Sequence, residues 1–158
     1  MSDIKPIYIF DIDGTLANIE HRVPILDSKS KDKWRRFYDA CDEDDPIWPV
    51  IDVMETLKTV ADILLFTGRT EAVREKTAEW ISHHSSFTYD ELIEPSGVLT
   101  MRPNGDYTAD HKLKELWLDM MLLEDRMRVH GVFDDRDSVV KMWRSKGLKC
   151  FQVDEGDF

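Results

Sequence analysis

The sequence predicts an α/β fold, a Rossmann-like parallel sheet flanked by helices with a small or minimal cap. Three observations carry that expectation. Four short apolar runs, "PIYIF" (6–10), "DILLF" (62–66), "HGVF" (130–133) and "LKCFQV" (148–153), show little polar alternation, as strands buried on both faces do. Helical patterns lie between them, the order that builds right-handed crossovers onto a parallel sheet. The first three runs end directly in acidic or turn residues, at the sheet edge where open α/β folds bind ligands.

Taken in order, the first run leads into "FDIDGTLA", which places Asp11 and Asp13 one residue apart just past a buried strand. Carboxylates so close repel one another and are costly to desolvate, so a cation is expected beside them. From about 18 to 48 the alternation is interrupted by a segment read as a small helical insertion. Its Trp34, Phe37 and Tyr38 share one helical face, read mainly as core packing and secondarily as a base-stacking surface. The acidic run at 39–45 reads as a solvated loop. A helix is expected over roughly 50–60, and the second strand hands over to Thr67, Gly68 and Arg69 before a helix at 71–84. "GVLTMRPNGDYTA", with its Asn104-Gly105 turn, reads as a small hairpin. A helix over 110–126 follows, then the third strand with Asp134, Asp135 and Arg136 at its end. The helix at 137–147 has an apolar face of Val139, Val140 and Trp143 and a stop at Gly147, and the fourth run closes the sheet. Trp80, Trp117 and Trp143 are assigned to the core.

At 158 residues the chain suits one domain, 1–158, with a substantial core. A net charge of -11 argues against a broad basic face gripping duplex nucleic acid, so any nucleic acid should be met locally, at an end. Cys41 and Cys150 make neither a disulfide framework nor a zinc-ligand pattern. The start "MSDIKPIYIF" does not read as a signal peptide, and no segment approaches the roughly 18 apolar residues of a membrane span. A cytoplasmic protein with no membrane and no obligate protein partner is therefore expected.

Three strand ends thus deliver carboxylates, a hydroxyl with a glycine amide, and further carboxylates to one rim. That set suits a phosphoryl group beside a hard cation. Magnesium prefers oxygen ligands, phosphate oxygens need hydroxyl, amide and Lys or Arg donors, and the positive groups let a carboxylate approach a negative phosphorus ester.

"FDIDGTLA", "FTGR" and "FDDRDSVVKMWRSKG" resemble motifs I, II and IV of the haloacid dehalogenase-like phosphatases. Together with the ending "CFQVDEGDF", they are most similar to the 3′-phosphatase domain of bacteriophage polynucleotide kinase/phosphatase. No GxxxxGK[ST] loop is present, so no kinase activity is carried over. The resemblance implies Asp11 as nucleophile and Asp13 as acid/base. It implies Mg2+ held by the Asp11 carboxylate, the Asp13 main-chain carbonyl, Asp134 and Asp135. Thr67 and the Gly68 amide would bind the phosphoryl, with Arg22, Arg69, Arg102 and Asp110 as further substrate-binding residues. Lys114 would be the charge-neutralising lysine of motif III, with Lys112 as competitor. The activity implied is removal of 3′-phosphates from DNA or RNA ends through an aspartyl-phosphate. The alternatives are a nucleotide or other small-molecule phosphatase, and a binding module that has lost the chemistry.

Overall fold

A computed structural model describes residues 4–95 and 97–157. Strand β1 (Ile7–Phe10) is followed by the short β2 (Ala17–Asn18), a 3-10 turn at Val23–Asp27, helix α1 (Lys33–Asp39), a second 3-10 turn at Cys41–Glu43 and β3 (Asp45–Pro46). Helix α2 (Trp48–Lys58) leads to β4 (Asp62–Thr70), and α3 (Arg74–His84) and α4 (Tyr89–Ile93) lead to β5 (Leu99–Arg102). Helices α5 (Asp110–Met120) and α6 (Leu123–Met127) precede β6 (Val129–Asp134), and α7 (Asp137–Ser145) precedes β7 (Cys150–Gln152).

Five strands form a parallel sheet in the order β5-β4-β1-β6-β7. Both faces are covered, which is why the runs show little alternation. Along β1, Phe10 packs into one apolar cluster with Ile63, Leu65, Met54 and Trp80, while Ile7 and Ile9 face the other with Phe66, Val132, Val139 and Trp143. Local chemistry fixes the helix starts. Pro49 occupies the first turn of α2, where no intrahelical amide is needed, and Thr88 with Glu91 forms a reciprocal capping box on α4.

Several expectations change. "LTMR" is not one arm of a hairpin; it is the edge strand β5, parallel to β4. Asn104-Gly105 does turn, with Gly105 at φ 76°, but buried Leu99 and Met101 gain more against the sheet than from the polar residues that follow the turn. The helix expected over 110–126 breaks between Met120 and Leu123. Strand β4 runs on past the apolar run to Thr70, with a register shift between Thr67 and Thr70. Trp80 and Trp143 are buried, but Trp117 is only half-buried against Phe66. The insertion is helical only in part, because the antiparallel β2–β3 ladder draws its two ends together. Among the described residues, no helix is long and apolar enough to cross a membrane.

Candidate active site

The three central strands β4, β1 and β6 bring their carboxyl ends to one rim. The Asp11 amide donates to the Phe133 carbonyl (3.0 Å), carrying the sheet ladder one residue past β1. The chain then turns tightly, with the amides of Thr15, Leu16 and Ala17 all converging on the Ile12 carbonyl at 2.9–3.1 Å. Gly14 makes the turn possible at φ 81°, and a Cβ there would lie 2.2 Å from Asp135 Oδ2.

Asp11, Asp134 and Asp135 are all buried, and one carboxylate oxygen from each lies within 4.8 Å of the others. Lys114, from the first turns of α5 and fully buried, places its ammonium 2.8 Å from Asp11 Oδ1, 2.9 Å from Asp134 Oδ2 and 3.4 Å from Asp110 Oδ2. Lys112 is exposed on another side of the same helix. The Trp143 indole donates to Asp134 Oδ2 (3.3 Å), and the Thr15 hydroxyl reaches both Asp11 and Asp135.

One ammonium does not balance this cluster. Burial pushes the Asp11 carboxyl well above its ordinary value, and Asp134 and Asp135 add to the push although Lys114 opposes it. Burial and the neighbouring Asp134 push Asp135 up to about 6. Burial disfavours the Lys114 charge, yet Asp11, Asp110 and Asp134 outweigh it and hold the ammonium charged. Three buried carboxylates short of positive charge, offering hard oxygen donors, fit a divalent cation.

Asp13 belongs to a second network. Its Oδ1 accepts from Arg22 Nη2 (2.7 Å) and Arg69 Nε (2.8 Å), and its carboxylate is not one of the three that converge. Burial raises the Asp13 carboxyl, but Arg69 and Arg22 together bring it below its ordinary value. The same two arginines reach Asp44: Arg22 Nε and Nη2 and Arg69 Nη2 each donate to it at 2.8 Å. Asp44 also meets His21 Nε2 at 2.7 Å, and its carbonyl accepts from the Trp80 indole at 2.8 Å. Arg22 lies over the Phe37 ring, 4.3 Å from its centroid. Arg22 and Arg69, expected to reach substrate phosphates, are thus fully buried on protein carboxylates. Asp44, expected in a solvated acidic loop, is buried because two guanidinium groups compensate it.

The Gly68 carbonyl is braced by Arg102 Nε (2.9 Å) and the Tyr38 hydroxyl (3.1 Å). Arg102 continues to the Thr108 carbonyl at 2.6 Å and approaches Asp110 Oδ1 at 3.6 Å. That Asp110 oxygen is buried with no hydrogen-bond partner among the described residues, and a Cβ on Gly68 would lie 2.5 Å from it. The buried Thr67 hydroxyl accepts from the Arg69 amide at 3.2 Å. The rim opens into a cleft of about 1010 Å³ between the insertion and the loop that follows β5, lined by Trp34, Tyr38, Arg102, Tyr107, Asp110 and Arg136 among others.

Residues 5–158 match the family described as the polynucleotide kinase PNKP phosphatase domain. The chain belongs to that family. It is similar to two chains from structures of the Pnkp1/Rnl/Hen1 complex, one of them described as an RNA repair complex. Their TM-scores are 0.77 and 0.74 and their identities 31% and 30%; the alignments cover 98% and 100% of this chain but 44% and 49% of those chains. A protein of Autographa californica nuclear polyhedrosis virus, named as a bifunctional polynucleotide kinase/RNA ligase, is 29% identical over 85% of this chain and 17% of its own length. A haloacid dehalogenase-like hydrolase of Streptococcus pneumoniae shares the fold at TM-score 0.63 and 14% identity, covering 96% of this chain and 85% of its own. The PNKP-type phosphatase domain described here therefore spans less than half the length of its more similar relatives, and it is a phosphatase on a haloacid dehalogenase-like α/β fold.

In this phosphatase domain the sequence-predicted Asp11, Lys114, Asp134 and Asp135 meet in one cluster, while Asp13, Arg22 and Arg69 meet in the other. The sequence reading missed Asp44 and the bond from Tyr38 to Gly68. The sequence contains no signal for Asp44, since it is one acid among Asp42, Glu43 and Asp45.

Proposed function

We propose that this phosphatase removes 3′-phosphates from polynucleotide ends through an aspartyl-phosphate on Asp11. The observation that carries the proposal is the Lys114 ammonium, buried and shared between Asp11 and Asp134 at the rim where the three central strands end. Asp11, Asp134, Asp135 and the Asp13 main-chain carbonyl would hold Mg2+, which when bound offsets the repulsion between the Asp11 carboxylate and the phosphate oxygens.

The Asp11 carboxylate oxygen attacks phosphorus, and the bond from phosphorus to the sugar oxygen breaks. That sugar oxygen takes a proton from Asp13. Asp13, now a carboxylate, takes a proton from water as the water oxygen attacks phosphorus; the bond to Asp11 breaks and inorganic phosphate leaves. Lys114 neutralises charge beside Asp11, and Thr67 with the Gly68 amide binds the phosphoryl oxygens. Arg102 and Asp110 border the same loop from the cleft. Arg22 and Arg69 fix the orientation of Asp13 and hold its carboxyl below the ordinary range, so its proton passes readily to the sugar oxygen and the carboxylate left behind is the form that the water step needs.

The likeness to chains from an RNA repair complex supports RNA ends as the substrate and protein partners as the setting. The two free cysteines, both buried, suit a reducing cytoplasm, and the chain acts as one domain. A second reading, a nucleotide or small-molecule phosphatase, is favoured by the net charge of -11 and by carboxylates outnumbering arginines along the cleft. Phosphate release from a 3′-phosphorylated oligonucleotide, compared with 3′- and 5′-mononucleotides, decides between them. Equal or faster release from a mononucleotide overturns the leading reading.

A further inference from the structure

Trp34 does not fulfil the core role expected of it. Its neighbour Phe37 is buried, but Trp34 keeps 49% of its surface exposed and lines the cleft. Its ring leans on Tyr38 at 6.1 Å and 30°, and its edge meets Phe37 at 5.9 Å and 82°. Tyr38 in turn bonds the Gly68 carbonyl. A continuous aromatic path therefore runs from the loop beside the reaction centre to the cleft wall and ends in an indole with surface to spare. Tyr107, 92% exposed, lines the same cleft from the loop after β5.

The exposed part of this ring offers a flat apolar face within the cleft. The surrounding charge shows what the ring is suited to hold. Arg35, Arg102 and Arg136 are outnumbered along the cleft by carboxylates, so a track of phosphates would be repelled there. A base has a π-face and no charge, and stacking on aromatic rings is how single strands are held without sequence preference.

We propose that Trp34 is the stacking platform for a nucleobase at the phosphorylated end of the substrate strand. The inference rests on the polynucleotide reading above and adds to it the group that tells a strand end from a simple phosphate ester. The docking partner is a neutral, flat ring near the scissile phosphate, held on the insertion and not on the sheet.

The test is a double-mutant cycle between Trp34→Ala and the substrate. One 3′-phosphorylated oligonucleotide is intact, and a second has its last two nucleosides replaced by abasic sugars. Removing the bases should raise KM for the unmodified protein by on the order of tenfold, the scale of one base–aromatic stack. Trp34→Ala should raise KM for the intact strand by a similar factor and leave KM for the abasic strand within about twofold, and Trp34→Phe should recover most of the loss. Costs that multiply, or a Trp34→Ala variant indistinguishable from the unmodified protein on the intact strand, overturn the inference. Failure of the unmodified protein to release phosphate from either strand would instead overturn the polynucleotide reading; equal KM for both strands would overturn the stacking platform alone.

Discussion

Asp13 and Asp44 hold the same two arginines between them, one carboxylate at the cleft and the other sealed behind it. Arg22 and Arg69 are fully buried, so each guanidinium needs more than the single oxygen Asp13 offers. Asp44 supplies it, and by doing so fixes where Asp13 points. Asp44→Ala should lower stability by about 3 kcal/mol, the scale of stranding a buried charge, with a matching fall in Tm. Asp44→Asn should retain more stability but lower kcat at least tenfold, because the arginines can then turn Asp13. Unchanged kcat in a folded Asp44→Asn protein would show that Asp13 is oriented without help.

Lys114 is the sole ammonium in contact with the acidic cluster among the described residues. Lys114→Met keeps the volume and removes the charge, leaving Asp11 and Asp134 uncompensated. We expect kcat to fall by roughly 10²-fold or more, in the range for losing a preorganised electrostatic partner, while Lys112→Met stays near the unmodified rate. Steady-state phosphate release by the two variants checks this, and the reverse ranking would move the role to Lys112.

The charge imbalance around Asp11, Asp134 and Asp135 predicts that a divalent cation binds the folded protein even without substrate. Millimolar Mg2+ should raise Tm, since a ligand of the native state stabilises by mass action. The shift should vanish in an Asp135→Asn variant, and phosphate release should stop under chelation and return on adding Mg2+. A Tm indifferent to Mg2+ would argue that Lys114 alone balances the cluster.

Asp11→Asn separates chemistry from folding. The amide cannot attack phosphorus, so release should become undetectable. Because burial and its acidic neighbours work against the Asp11 charge, removing that charge should leave Tm unchanged or higher. Differential scanning calorimetry beside the activity assay reads both; residual release at the unmodified rate would place the nucleophile elsewhere.

Gly14 offers a purely steric prediction. Its φ of 81° strains any other residue, and a methyl group would overlap Asp135 Oδ2. Gly14→Ala should therefore shift Asp135 and weaken Mg2+ binding by calorimetry at least tenfold, with a loss of about 1–2 kcal/mol in stability from the backbone alone. Intact Mg2+ affinity would show that the turn yields without moving the carboxylate.

The place of Asp11 and Asp134 at the rim was legible because each follows an apolar run immediately, with Asp13 and Asp135 one or two residues on, and a buried strand in a parallel sheet fixes where its end must lie. Lys114 became distinguishable from Lys112 only through helix rotation, which points one at the strand ends and the other at solvent. Leu99–Arg102 was misread since an Asn-Gly pair is a local signal, whereas pairing with β4 is decided by residues more than thirty positions earlier. Asp44 was invisible for a related reason. Its burial depends on Arg22 and Arg69, and neither those distances nor the closing of the β2–β3 ladder can be read from an acidic run.

The strands that carry the reacting groups are the inner three of the sheet, shielded on either side by β5 and β7, whereas the cleft walls are a two-strand ladder, short helices and a loop. Amide hydrogens of Ile9, Leu65 and Val132 should therefore exchange only on global opening, and those of the insertion well before. In rising urea phosphate release should thus fail, as Asp13 loses Arg22 and Asp44, at concentrations where the sheet beneath Asp11 and Asp134 is still closed: the fold keeps its nucleophile in its slowest-opening part and the groups that aim and select in the part that opens first.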